Sequence, residues 1–399
     1  MTIPNEFTKE YVEENSSGED QLFSDFLKSG EPYKSIFKNN PWLIPPDMSK
    51  PLEWGKGMYW DTTVARKHEY WKDFDLPQPT KDINQMRGDI LEWGYCLIED
   101  AMSKEQCERF ITRIHEQAEG ERLAGINAKS PTGQYLHSLI NKGQVFAECI
   151  EQNPNSVQAG PVIEQILNET LGHGWICHSF LSNGADPGGY PQFMHMDQGP
   201  LLPWVTEEAP ALFNTMYIPQ DVNEENGGTL FIPGSHKAFI NAGSGGEIGK
   251  LAPTINLEAK AGTIMLFDGR IFHGTGVNKT DKQRFVATMS NVKSWMRQQE
   301  NWIITVDSEV LKNASPKLMH RMGMQALTYG ATIEGFGMGS GGKLREASGL
   351  IKNFRLACEE GDYVRVGQLS PDSTEEELNQ DFTLAKVYKE NLKEFEDSE

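Results

Sequence analysis

Cysteine is scarce in this chain and nothing about its spacing pairs it. Five cysteines in 399 residues (Cys96, Cys107, Cys149, Cys177 and Cys358) form an odd set without a C-x-x-C pair, so neither a disulfide framework nor a zinc ribbon is indicated. Basic residues are short as well: 37 Lys and Arg stand against 57 Asp and Glu, a formal charge of −20. Neutralising phosphates requires basic surface, so no nucleic-acid partner is expected. The deficit sits mainly at the ends. Residues 1–20 hold six acids and one base, residues 371–399 hold ten acids and three bases, and the middle carries only −8. No apolar run reaches 18 residues, so no membrane span is expected. The first 20 residues have neither a basic flank nor an apolar stretch, so a secretory leader is not expected and a cytoplasmic, reduced setting is.

Aromatic residues, by contrast, are plentiful: nine Trp, 11 Tyr and 19 Phe, within a hydrophobic fraction of 38%, rule out wholesale disorder. The length allows one large domain with extensions, and such a chain buries a core without staples. Residues 1–80 show little periodicity and read as an N-terminal extension, with PWLIPPDMSKPLEWGKGMYW as an extended, Trp-anchored segment. From Asp82, INQMRGDILEWGY places Ile83, Met86, Ile90 and Leu91 near helical spacing, and YCLIED follows as a strand. Ser103 with Gln106 forms a capping-box pattern before a helix carrying Phe110, Ile111 and Ile114, and VIEQILNETLG predicts another helix stopped by Gly172.

From about residue 175 the texture changes to short apolar runs separated by Gly, Pro, Asn and Asp. WICHSFLSN, YPQFMHMDQ, ALFNTMYIP, GTLFIPGSH, TIMLFDGRIFHGTGV and RFVATMSNV suit a jelly roll better than alternating strands and helices. Helices return beyond residue 305, followed by a Gly-rich stretch and an acidic tail. The expected organisation is therefore an N-terminal extension (1–80), a mainly β jelly-roll domain with flanking helices (81–305), and a helical C-terminal extension (306–399).

The sharpest chemical feature is His195-Met196-Asp197. In a strand, residues i and i+2 share a face, so imidazole and carboxylate would point together. Two such ligands plus a further His, with the other positions open, make the donor set of non-heme Fe(II) oxygenases. His273, in LFDGRIFHGTGVNKT, is the best third ligand. Arg284 follows 11 residues later on an apolar strand, where its planar fork suits the distal carboxylate of a 2-oxo diacid. His236 in PGSHK reads as part of a structural turn, and His173 and His178 as core or surface residues. Gly337 to Lys343 fits a phosphate-loop pattern, but Leu344 stands where Ser or Thr is needed, so a plain Gly-rich loop is the better reading. Trp204 lies in a loop placed to shape a pocket or to pack on an extension.

NEENGGTLFIPGSHK, with HMD before it and H-x10-R after it, resembles the phytanoyl-CoA dioxygenase family of Fe(II)/2-oxoglutarate oxygenases over roughly residues 85–300. The resemblance implies a double-stranded β-helix (jelly roll, cupin-like) in which His195, Asp197 and His273 bind iron. It implies that Arg284 binds the far carboxylate of 2-oxoglutarate and that Thr229 and Asn214 touch the co-substrate. Phe193 departs from the family, which often has a polar residue there. The implied activity uses Fe(II), 2-oxoglutarate and O2 to oxidise a C–H bond of a small molecule, releasing succinate and CO2. Related halogenases replace the carboxylate ligand with a small residue, so Asp197 favours hydroxylation. A specialised metabolite or modified amino acid is the first expectation for the substrate and an acyl-CoA the second. A cupin-like metal-binding protein without 2-oxoglutarate turnover is the alternative.

Overall fold

Among the described residues, ten strands carry the architecture: β1 (Tyr95–Ile98), β2 (Ala128–Lys129), β3 (Gln134–Leu136), β4 (Ile176–Ala185), β5 (Leu212–Tyr217), β6 (Thr229–Phe231), β7 (Ile255–Asn256), β8 (Ile264–Asp268), β9 (His273–Thr275) and β10 (Arg284–Val292). The computed structural model describes residues 33–40, 69–130, 132–189, 191–192, 194–198, 208–243, 246–324, 366–380 and 382. Phe193, Trp204, the Gly337–Lys343 stretch and Cys358 lie outside the described residues.

The strands form a seven-stranded sheet, ordered β1-β8-β5-β10-β4-β3-β2, and a three-stranded sheet, ordered β7-β6-β9, with antiparallel pairing throughout. Tyr95, Leu97, Met216, Met265, Phe267 and Val286 project from the large sheet onto Phe231 and Ile255 of the small one, which closes the jelly roll around an apolar interior. The opposite face of the large sheet presents Cys96, Phe180, Phe213, Tyr217, Leu266, Phe285 and Met289 to a layer of helices. This alternation has the two-residue period of a pleated strand, and strands β1, β8, β5 and β10 are buried on both faces, whereas the edge strand β2 is not.

The helices follow their local signals. Asp82 caps the helix Ile83–Trp93, and Gly94 ends it in the left-handed conformation at φ 80°. Ile83, Met86 and Ile90 form its buried stripe, whereas Leu91, grouped with them by spacing, lies about 100° round the helix and is 76% exposed. Ser103 and Gln106 make the expected capping box for Lys104–Leu123, and Gly172 caps Gly160–Leu171. Beyond residue 305, Leu311, Leu318, Met319 and Met322 pack into the same core as Phe146 and Phe180. On the small sheet's outer side, the helix Tyr33–Asn39 seats Ile36 against Phe239 and Phe272. Its end is held where Asn40 Nδ2 donates to the Gly249 carbonyl (2.9 Å) and Leu251 N donates to Asn40 Oδ1 (2.7 Å). No helix among the described residues is long and apolar enough to cross a membrane.

One expectation needs correcting. YPQFMHMDQ is not a regular strand around the H-x-D: His195 makes a single antiparallel bridge to His273, and Asp197 already lies in a turn. The pairing stops there because the partner strand begins only after the tight turn at Asp268–Ile271, to which Gln198 N attaches through the Gly269 carbonyl (2.8 Å).

Candidate metal centre

The bridge brings two distant segments to one point. His195 N donates to the His273 carbonyl (2.9 Å) and His273 N to that of His195 (2.8 Å), which sets the imidazoles 4.5 Å apart between ring centroids. Asp197 reaches both: His195 Nε2 is 3.5 Å from its Oδ1 and His273 Nε2 is 3.5 Å from its Oδ2. One donor atom from each of the three residues lies within 4.8 Å of the others, so they could hold a metal ion. Donors about 2.0–2.2 Å from a common ion stand roughly 3 to 3.6 Å apart, which the two 3.5 Å histidine–aspartate contacts match.

The protonation pattern also suits a metal. His273 Nδ1 faces the Ile271 carbonyl at 3.0 Å. A carbonyl only accepts, so Nδ1 carries the proton and Nε2 keeps its lone pair toward Asp197. Burial lowers the His273 pKa further, favouring the neutral ring. For Asp197, burial alone would push the carboxyl up; the two imidazoles and the Asn214 amide outweigh it and hold the group well below the ordinary carboxylate range. The ligand set is hard and nitrogen/oxygen-based, as iron(II) chemistry requires.

Arg284 opens β10 on the barrel-facing side, directly opposite Ala185 of β4. It is only 2% exposed, and among the described residues it meets no carboxylate: Nε donates to the Asn226 carbonyl (3.3 Å), Nη2 to the Gly227 carbonyl, and Nη1 has no partner there. Burial lowers its pKa to about 10. A buried guanidinium with an orphaned N–H is costly unless an anion completes it, and a carboxylate has the right shape.

Thr229 lies on β6 opposite Thr275, buried, with its hydroxyl 4.0 Å from Met216 Sδ. Asn214 on β5 is fully buried, and its side chain reaches Asp197 and Ser290. His236 lies in the first turn of the helix Ser235–Ala242 and packs its buried Nδ1 near Gly94, and His173 is exposed. His178 occupies the extra position where the β4–β10 register shifts, held at Nδ1 by Gln299 N (3.1 Å). A polar chain went unremarked in the sequence: Asn183 Nδ2 donates to Thr275 Oγ1 (3.1 Å), which lies 3.2 Å from Gln192 Oε1. Thr275 was detectable as the residue two after His273 in a strand. Asn183 and Gln192 carried no comparable signal.

Residues 90–286 match the family model of phytanoyl-CoA dioxygenase. The chain is 25% identical over 255 residues to the dioxygenase af480 of Aspergillus fumigatus, covering 63% of this chain and 80% of that protein. It is 23% identical over 266 residues to the multifunctional dioxygenase prhA of Penicillium brasilianum, covering 62% and 84%. Among solved structures, the alpha-ketoglutarate-dependent carbocyclase SnoK from nogalamycin biosynthesis aligns with a TM-score of 0.43 and 19% identity, over 54% of this chain and 87% of that one. Residues 90–286 thus match the phytanoyl-CoA dioxygenase family, and the chain is a non-heme iron, 2-oxoglutarate-dependent dioxygenase.

Proposed function

We propose that His195, Asp197 and His273 hold Fe(II), that Arg284 receives the distal carboxylate of 2-oxoglutarate, and that the enzyme hydroxylates a C–H bond of a neutral small molecule. The observation that carries this is the pairing of a compact His/Asp/His donor set with a buried guanidinium whose Nη1 lacks a partner. When bound, the iron supplies the O2-dependent oxidation that converts 2-oxoglutarate to succinate and CO2. The protein's part is geometric and electrostatic. His273 presents Nε2 because Ile271 holds Nδ1–H, Asp197 stays ionised, and Arg284 waits desolvated on the barrel wall for a carboxylate. Thr229 stands on the neighbouring sheet as a further co-substrate contact.

The barrel-facing side of the large sheet supports the substrate class. On β10, Arg284, Val286, Thr288 and Ser290 alternate inward, opposite Ala185, Asn183, Leu181 and Ser179 of β4, with Tyr135 of β3 opposite Asn183. Tyr135, Leu181, Asn183 and Thr288 are half-buried although they face the interior, so room adjoins them. Among these residues Arg284 is the one cation, so a CoA nucleotide has no basic cradle here. A small molecule without net charge, such as a specialised metabolite or modified amino acid, fits better than an acyl-CoA. Nucleic acid and membrane are not part of this reading. A cytoplasmic setting is, supported by the buried free thiols of Cys96, Cys107, Cys149 and Cys177. So is the division at residues 80 and 305, with both extensions bracing the barrel.

The test is anaerobic addition of Fe(II) and then 2-oxoglutarate to the purified protein, followed by visible spectroscopy. A weak charge-transfer band that Arg284→Ala diminishes is expected. Bound iron without any band would move the protein to a metal site that does not use 2-oxoglutarate.

A further inference from the structure

The Asp197 carboxylate is steered from behind. Asn214 Nδ2 donates to Asp197 Oδ2 at 2.8 Å, and Ser290 Oγ donates to Asn214 Oδ1 at 2.7 Å. Asn214 and Ser290 are direct cross-strand partners on β5 and β10, so two paired strands of the large sheet fix the relay. Its polarity follows from chemistry. An ionised carboxylate only accepts, so the amide must turn its NH2 toward Asp197, and its oxygen then requires a donor, which the Ser290 hydroxyl provides.

We infer that Asn214, braced by Ser290, is a positioning residue that occupies Asp197 Oδ2 and so commits the carboxylate to bind iron through one oxygen. This rests on the reading of His195, Asp197 and His273 as the iron ligands. Three features of the fold require such a device. Asp197 lies in a turn beyond the single His195–His273 bridge, so no strand ladder orients it. Its side chain is 26% exposed, leaving room for the carboxylate to rotate. A carboxylate free to chelate through both oxygens would take a position that 2-oxoglutarate or dioxygen needs, whereas an Oδ2 engaged by an amide N–H is a poorer second ligand. Asn214 itself is fully buried, with Leu212 and Met216 as its same-face neighbours along the strand. An aliphatic residue would satisfy the packing and deprive only Ser290 and Asp197 of a partner, so the polarity of this position is explained by Asp197 and its brace rather than by the strand itself. This gives Asn214 a different partner from the co-substrate expected from its family position.

The test measures iron and 2-oxoglutarate separately. Asn214→Leu should weaken Fe(II) binding by about 10- to 100-fold in anaerobic titrations, the usual loss when a ligand's supporting partner is removed. At saturating iron its 2-oxoglutarate affinity should stay within about twofold. Ser290→Ala, a milder change that folds if Asn214→Leu does not, should weaken iron binding by a smaller factor. That loss should vanish when Asn214 is already Leu, because Ser290 acts through it. Unchanged iron affinity in both single variants overturns the proposal, as does a Ser290→Ala effect that persists in full beside Asn214→Leu. A loss confined to 2-oxoglutarate overturns it too, returning Asn214 to the co-substrate. Asp197→Ala separates the levels: if that variant also keeps its iron, the triad itself is wrong; if it loses iron while Asn214→Leu does not, only the steering fails.

Discussion

Replacing Arg284 with Met should leave the stability of the metal-free protein nearly unchanged while removing its response to 2-oxoglutarate. The guanidinium is 2% exposed, and burial lowers its pKa from 12.5 to about 10. At about 1.4 kcal/mol per tenfold, this corresponds to roughly 3 kcal/mol of unfavourable charge burial. The folded-state pKa is the lower one, so at neutral pH both folded and unfolded forms are protonated. The penalty is then in full force and relaxes only as pH rises past 10. Met retains most of the volume but gives up two charge-assisted bonds, to the Asn226 and Gly227 carbonyls, each worth about 1.5 kcal/mol or more. The two sides nearly cancel, so stability without ligands should change by no more than about 1 kcal/mol. Denaturant unfolding of wild type and variant reads it directly, first without ligands and then anaerobically with Fe(II) and 2-oxoglutarate. A ligand at a hundredfold its Kd adds about 2.7 kcal/mol to a protein that binds it. Wild type should show an increment of that order and the variant none beyond iron alone. A variant destabilised by more than about 2 kcal/mol without ligands, or one that keeps the full 2-oxoglutarate increment, would refute the reasoning.

Three further outcomes follow from the same geometry. His195→Ala should lose stoichiometric Fe(II) in an anaerobic titration against a chromophoric chelator; a retained equivalent of iron would remove the His195–Asp197–His273 assignment. Glu300, whose carboxyl burial pushes up to about 7 despite bonds from Trp302 Nε1 and Ser138 N, should make stability fall as pH rises. A raised carboxyl pKa contributes fully below about 4.5 and is lost as pH passes 7. Glu300→Gln should therefore flatten the unfolding free energy between pH 5 and 8, by up to about 3 kcal/mol less solvent screening; parallel wild-type and variant profiles would contradict this. Gly94→Ala should destabilise by more than about 1 kcal/mol in chemical denaturation, because φ is +80° and the added Cβ would sit 2.5 Å from His236 Nδ1. An unchanged midpoint would mean that this turn relaxes freely.

Much of the fold was legible because its signals are local. Alternating and continuous apolar runs marked β4, β5, β8 and β10, and Ser103, Gln106 and Gly172 marked helix ends through bonds made within a few residues. The exposed Leu91 shows where spacing alone loses precision: one step round a helix moves a side chain from core to solvent. At the site, the sequence by itself determined the donor types, from His195, Asp197 and His273 to the lone Arg284, because chemistry belongs to side chains and an H-x-D keeps two of them adjacent wherever the chain goes. Tertiary structure alone decided the rest. Whether His273 meets His195 depends on a one-residue bridge between segments 78 positions apart, and whether Asn214 faces the co-substrate or Asp197 depends on the register of β5 against β10. Register is set by the packing of whole faces, and a shift of one residue would turn Asn214 from the barrel interior to the helix layer.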